Sequence, residues 1–233
     1  MNRDESLRRP VALLPEVHRT GNRLSIYPSE PSGGTWIGFN DLGLSLALIN
    51  WHTVSTRPEN RVISRGTVVK ALLGSDNIDQ SDSALRTLQL RMMPPFRVIA
   101  IEPHDRVVAE FRWDQDLLHS ITHHWTAQHW FSSGLDESAV QARRAEVCER
   151  EWKKSDAGSL DWLRALHQSH IPNRSSFSIC MHGQNAATVS YTEIVQEDRL
   201  GVLRYHPGPL CENSTNLIEL GMPLHSLEIS RKP

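Results

Sequence analysis

Two short runs of alternating residues, joined by a turn, constrain this chain more than anything else in it. From Thr35 to Asn40, Trp36, Gly38 and Asn40 share one face, and Thr35, Ile37 and Phe39 the other. Asn40-Asp41-Leu42-Gly43 has turn chemistry, and the chain returns with Leu44, Leu46, Leu48 and Asn50 aligned. The pattern is an antiparallel hairpin entered through Ser32-Gly33-Gly34. It recurs around His104-Asp105, where Val107, Ala109, Phe111 and Trp113 alternate with Val108, Glu110 and Arg112 in a half-buried strand. Strands are also expected at His123–Phe131, Phe177–His182, Ala186–Gln196, Gly201–His206 and Asn216–Leu220.

Helices separate these groups. One runs from Thr67 to Leu73, and one is capped by Ser83 and reaches Met92, before Pro94-Pro95. A third starts at Asp136 and continues to Lys153, with Val140, Val147, Cys148 and Trp152 on one stripe; a fourth spans Ser159 to His170. Residues 1–32 read as loop, because Pro10, Pro15, Pro28 and Pro31 interrupt them. Hairpins, paired helices and more hairpins define an α+β chain of layered antiparallel sheets, with one domain over 1–233.

Composition excludes several functions. A net charge of −2 gives no basic footprint for nucleic acid, and no apolar run is long enough for an integral membrane segment. Three cysteines at wide spacings write neither a disulfide framework nor a C-x-x-C zinc knuckle; they fit reduced thiols in a cytoplasmic protein.

Several residues carry chemistry. Asn2 and Asp4 put an amide and a carboxylate on one strand face, able to hold an amine; the plainer alternative is an exposed ion pair of Asp4 with Arg3 or Arg9. Asn40 can donate to an oxyanion or simply build its turn. His119, His123, His124 and His129 crowd together without the carboxylates of a metal motif, so no metal site is expected, while a haem ligand needs only one imidazole. Ser133 and Ser190 lie outside any G-x-S-x-G, and Cys180 alternates with His182 as a packing cysteine or a weak thiol–imidazole pair.

Asn2-Arg3-Asp4-Glu5 with Arg9-Pro10, followed by Gly33-Gly34-Thr35-Trp36-Ile37-Gly38-Phe39-Asn40, resembles the NRDE family, also called the transport and Golgi organisation protein 2 family. Ser64-Arg65-Gly66, Ser132-Ser133-Gly134 and the run from Asn185 to Thr192 extend the resemblance through nearly the whole chain. It implies an Ntn-hydrolase-like, four-layer αββα sandwich, similar to choloylglycine hydrolases and penicillin acylases. Carried over, Asn2, Asp4 and Asn40 take catalytic positions, Asp4 holding a nucleophile's α-amine and Asn40 the oxyanion. Arg3, Arg9, Trp36, Asn50, Arg65, His123 and His124 become the binding set.

Family members usually begin Met-Cys, with a strand before the motif. Loss of Met leaves a cysteine whose own amine, with a pKa near ~8, acts as base. This chain opens on the motif itself, so the expectation is a first strand, with its cysteine, upstream of Met1. The resemblance further implies haem trafficking or the handling of lipids or acyl-CoA, with a small hydrophobic ligand (haem or an acyl compound) in the cleft. The alternative is an Ntn-type amide hydrolase or acyltransferase using that upstream cysteine.

Overall fold

The structure, a computed structural model, describes residues 1–59, 62–212 and 217–225. Strands β1 (Asn2–Ser6), β9 (Ala186–Glu197), β10 (Leu200–Pro207) and β11 (Ile218–Pro223) form one sheet in that order. A larger sheet runs in chain order through β2 (Leu13–Thr20), β3 (Arg23–Ser29), β4 (Ile37–Asn40), β5 (Ser45–Asn50), β6 (Phe96–Glu102), β7 (Val107–Trp113) and β8 (Leu118–His123). Every described pairing in both sheets is antiparallel.

Three apolar clusters set the layers. Helices α1 (Gly66–Leu72) and α2 (Ile78–Thr87) bury Val68, Val69, Leu72 and Leu85 against Leu44, Leu46, Leu48 and Phe111 of the larger sheet. Each such side chain, fully buried, contributes about 1.5–3 kcal/mol relative to exposure. Between the sheets, Ile26, Ile37 and Phe39 meet Leu203, Tyr205 and Met222. Helices α3 (Glu137–Glu151) and α4 (Leu160–His167) pack Val147, Cys148, Trp162 and Leu166 with Ile179 outside the smaller sheet. There Arg144 of α3 reaches Asp4 of β1, and Arg164 of α4 reaches Glu193 of β9. The result is the four-layer αββα sandwich.

The hairpin at the heart of the sequence pairs Ile37 with Ala47 and Phe39 with Ser45, and Gly43 turns at φ +83°. Asp136 and Ser159 cap α3 and α4 as their spacing requires, accepting from Ala139 N and Trp162 N. Five expectations need correction. Residues 1–32 are largely strand. Pro15 is tolerated because β2 is a sheet edge with an irregular register between Leu13 and Glu16. Pro28 lies beyond the short β3–β4 ladder, which pairs Ser25 and Ile26 with Asn40 and Phe39. The cap of α2 is Asn77, accepting from Gln80 N, while Ser83 sits inside the helix and donates to Asp79 O.

The expected strand at His123–Phe131 is the other way round: β8 ends at His123, and residues 124–135 are irregular. Phe177–His182 forms only a bridge from His182 to Ala187. The last expected strand begins instead at Ile218; Asn216 lies outside the described residues. Among the described residues, no helix is long and apolar enough to cross a membrane.

Candidate functional site

The site begins with a contact between two glycines. A Cβ on Gly66 would sit 2.8 Å from Gly34 Cα, so glycine is required at Gly66, while one on Gly34 would crowd Gly66 Cα at 3.1 Å. Thr35 N then donates to Gly66 O at 3.0 Å, and the Thr35 hydroxyl to Pro28 O at 2.5 Å. This junction joins the Gly33-Gly34-Thr35-Trp36 segment to Ser64-Arg65-Gly66, so that Trp36 and Arg65 line one space. It is a cavity of about 1410 Å³ bounded by β1, the ends of β5 and β6, residues 127–135, α3, α4 and residues 176–186.

Of the catalytic and binding positions carried over from the resemblance, seven line it: Asn2, Arg3, Asp4, Arg9, Trp36, Asn50 and Arg65. On β1 they alternate. Arg3 points between the sheets, where its guanidinium lies 4.2 Å from the centre of the Trp36 ring and bonds Glu30 Oε1 at 2.7 Å. Asn2 and Asp4 face the helices. The Asn2 amide donates to His167 O at 3.0 Å and Ile179 O at 2.8 Å, and its buried Oδ1 has no partner among the described residues. Asp4 accepts from Arg144 Nη2 at 3.0 Å and from the Thr188 hydroxyl at 2.7 Å. The pair is therefore interior and bonded across the fold, and Asp4 meets Arg144, a partner 140 positions away that local reading could not supply.

Three candidates lie elsewhere. Asn40 is fully buried in its turn: its amide donates to Leu73 O and Ser75 O, and its oxygen accepts from Leu42 N and Leu44 N. With every hydrogen-bonding position used, its turn role accounts for it. His123 bonds Glu110 Oε2 at 3.0 Å and meets Trp130 edge-on, while exposed His124 uses its carbonyl to accept from Thr126 N. Neither ring lines the cavity.

Other residues that line the cavity were not singled out for it from sequence: His52, Arg144, Trp152, Trp162 and His167. Only the fold brings them together, and none sits in a local motif. Among the described residues, no hydroxyl or thiol lining the cavity bonds a histidine or a carboxylate. Burial pushes the Cys148 thiol up to about 11, away from thiolate chemistry.

The electrostatics favour an anion. Three guanidiniums (Arg3, Arg9 and Arg65) stand against the carboxylates of Glu5 and Glu30. Among the described residues, Arg65 has no carboxylate within ion-pair distance and donates only to Pro95 O, at 3.0 Å. Burial, then Arg57 and Arg9, bring it down to about 10 against the opposing pull of Glu5 and Glu30, so it stays charged at neutral pH without a direct ion pair among the described residues. Burial likewise lowers His52 below its ordinary value, helped by Arg65 and Arg57 and opposed by Glu137; a neutral imidazole results.

His167 yields a pH prediction. Burial holds its ring well below the ordinary value, and its buried Nδ1 has no partner among the described residues. The unfolded chain binds that proton more tightly, so stability is fully present above pH ~6.5 and is lost as pH falls below it. The loss is read between pH ~7 and pH ~5, on either side of the unfolded value. Urea unfolding at both pH values, on the native chain and on His167→Gln, checks it; the variant should show a correspondingly smaller acid loss.

Two antiparallel sheets face to face between outer helices, with a cavity at one end of β1, define a protein of the Ntn-hydrolase fold. Solved structures of that fold are similar throughout. A mutant of conjugated bile acid hydrolase from Clostridium perfringens matches with a TM-score of 0.57 and 10% identity, over 95% of this chain and 87% of that one. Penicillin V acylase from Agrobacterium tumefaciens matches with a TM-score of 0.54 and 11% identity, over 94% of this chain and 81% of that one. The family model for Transport and Golgi organisation 2 matches residues 1–201, and the chain belongs to that family. No curated protein matches it by sequence.

Proposed function

We propose that this protein binds an amphipathic ligand, with an apolar body and an anionic head, in the cavity beside β1. The observation that carries the reading is Arg65: a half-buried cation with no direct ion pair among the described residues, on the wall of a largely apolar space. At about 1410 Å³ the space exceeds the ~300–1,000 Å³ of ordinary small-molecule sites, which suits a long acyl chain or a macrocycle. Haem and acyl-CoA share this chemistry, and the family's place in haem, lipid or acyl-CoA handling supports it. For haem, the propionates suit Arg65 and Arg9, and neutral His52 replaces His123 and His124 as the candidate iron ligand. Three free cysteines support a reducing, cytoplasmic setting.

Titration with palmitoyl-CoA, palmitate and haem separates the sources. Trp36, Trp130, Trp152 and Trp162 line the cavity, so binding should change tryptophan emission saturably. A charge-assisted contact is worth about 1.5–3 kcal/mol, so Arg65→Gln should weaken the true ligand by roughly 10- to 150-fold. For haem, the Soret shift should disappear in His52→Ala. Saturation by none of the three overturns the reading.

A second reading, amide-bond hydrolysis by a cysteine upstream of Met1, is favoured by Asn2. Its unpartnered Oδ1 calls for a donor such as an α-ammonium, and a preceding strand could add beside β1, which pairs with β9 alone among the described strands. A longer chain carrying that cysteine should be labelled by a thiol-directed acylating reagent at that residue. Labelling confined to Cys148, Cys180 or Cys211 would exclude this mechanism.

A further inference from the structure

Residues 168–185, between α4 and β9, contain no regular element apart from the bridge at His182. A stretch of that length inside a compact domain needs something to hold it, because loop closure and fixed backbone both cost entropy. Its backbone is pinned in part: Cys180 N donates to Ser169 O, His182 N to Ser175 O, and Asn2 reaches Ile179 O. Alternation then sorts its side chains. Ile179, Met181 and Gly183 line the cavity, while Cys180 and His182 point away from it.

On that far side they meet two residues from elsewhere. His170 comes from just after α4, and Cys211 from the segment following β10. One ligand atom from each of the four residues lies within 4.8 Å of all the others. Cys180 Sγ is 3.4 Å from Cys211 Sγ; His182 Nε2 is 3.6 Å from the first sulfur and 3.3 Å from the second. The His170 and His182 ring centres are 5.0 Å apart, and the buried His170 Nε2 has no partner among the described residues. A tetrahedral zinc shell with Zn–S ~2.3 Å and Zn–N ~2.0–2.1 Å has edges of about 3.3–3.8 Å. The three separations among Cys180, His182 and Cys211 fall on that scale.

We propose that His170, Cys180, His182 and Cys211 form a Cys2His2 site for a zinc-class divalent ion. The ion ties the α4–β9 segment to the segment after β10 and stiffens one wall of the cavity. The two thiols bind as thiolates and release two protons to solvent. Arg174 Nη2 now lies 3.1 Å from His182 Nδ1 and 3.2 Å from Glu212 Oε1. Coordination through Nε2 puts a proton on Nδ1, so Arg174 keeps Glu212 and releases the ring. The site needs neither the cavity's ligand nor any catalysis, so its test is independent of both.

The whole chain, stripped of metal under reductant, is titrated with Co²⁺. One equivalent should give a thiolate-to-cobalt charge-transfer band with tetrahedral d–d bands, and Zn²⁺ should bleach both. Cys211→Ser and His170→Ala should lose or alter the spectrum at one equivalent, and Cys148→Ala should keep it. The native chain supplies a readout that needs no variant: Zn²⁺ should shield Cys180 and Cys211 from alkylation but not change Cys148. The proposal is overturned by the absence of a charge-transfer band, by identical alkylation with and without zinc, or by a Cys180–Cys211 disulfide in the reductant-treated chain.

Discussion

Glu110→Ala should destabilise the protein by about 4 kcal/mol, within the ~3–5 kcal/mol expected when one partner of a buried charge pair is removed. The Glu110 side chain is fully buried on β7, within 2.9 Å of Arg112, 3.0 Å of His123 and 3.7 Å of Arg97. Burial alone would raise its carboxyl, but Arg112, His123 and Arg97 outweigh it and hold it below the usual range. Its contribution is therefore present above the unfolded value of ~4.3 and lost as pH falls through the folded one. Removing the carboxylate leaves Arg97, only 10% exposed, without its ion partner.

The change should also reach the cavity. Trp130 Nε1 donates to Glu110 at 3.3 Å, and Arg97 holds Phe131 O, so this cluster docks the irregular wall at 124–135. Denaturant unfolding at pH 7 should show the loss. Proteolysis should cut residues 124–135 faster in the variant than in the native chain. A loss under about 1 kcal/mol would mean the cluster is hydrated and weak.

Asp4→Ala should cost about 3 kcal/mol, from leaving the 5%-exposed Arg144 unpaired and removing the Thr188 acceptor. The figure is set below that for Glu110 because Arg144 borders the cavity and water can reach it. A double-mutant cycle isolates the cause. Asp4→Ala with Arg144→Leu should be less destabilised than Asp4→Ala alone, since no charge is then stranded. Equal losses in the two would place the cost in the Thr188 bond and the strand instead.

The motif at Asn2–Glu5 was legible as chemistry, and Thr35–Asn50 as structure, for different reasons. A hairpin follows from a period of two and a glycine turn, both local, so its two strands could be read directly, though not the one-residue offset that sets Phe39 against Ser45. The partners of Asn2 and Asp4 (His167, Ile179, Arg144 and Thr188) are distant in the chain, and no spacing rule finds them. Prolines misled the reading of residues 1–32, because an edge strand tolerates what a central one does not.

The histidines misled it differently. His123 and His124 are conspicuous as neighbours, yet the imidazole against the Ser132–Gly134 turn is His52, isolated in sequence and brought there by β5. Cys180 and His182 were visible as an alternating pair. Their partners His170 and Cys211 become visible only once α4 and β10 are in place.

The function proposed for the cavity beside β1 rests on Arg65 holding the anionic head of an amphipathic ligand from the cavity wall. Calorimetric titration of the whole chain and of Arg65→Gln, each with palmitoyl-CoA and with haem at two salt concentrations, tests it most directly. One saturable site is expected for at least one ligand, weaker in high salt and weaker by tenfold or more (about 1.4 kcal/mol) in Arg65→Gln. Saturable binding of equal strength in both proteins, indifferent to salt, would contradict it.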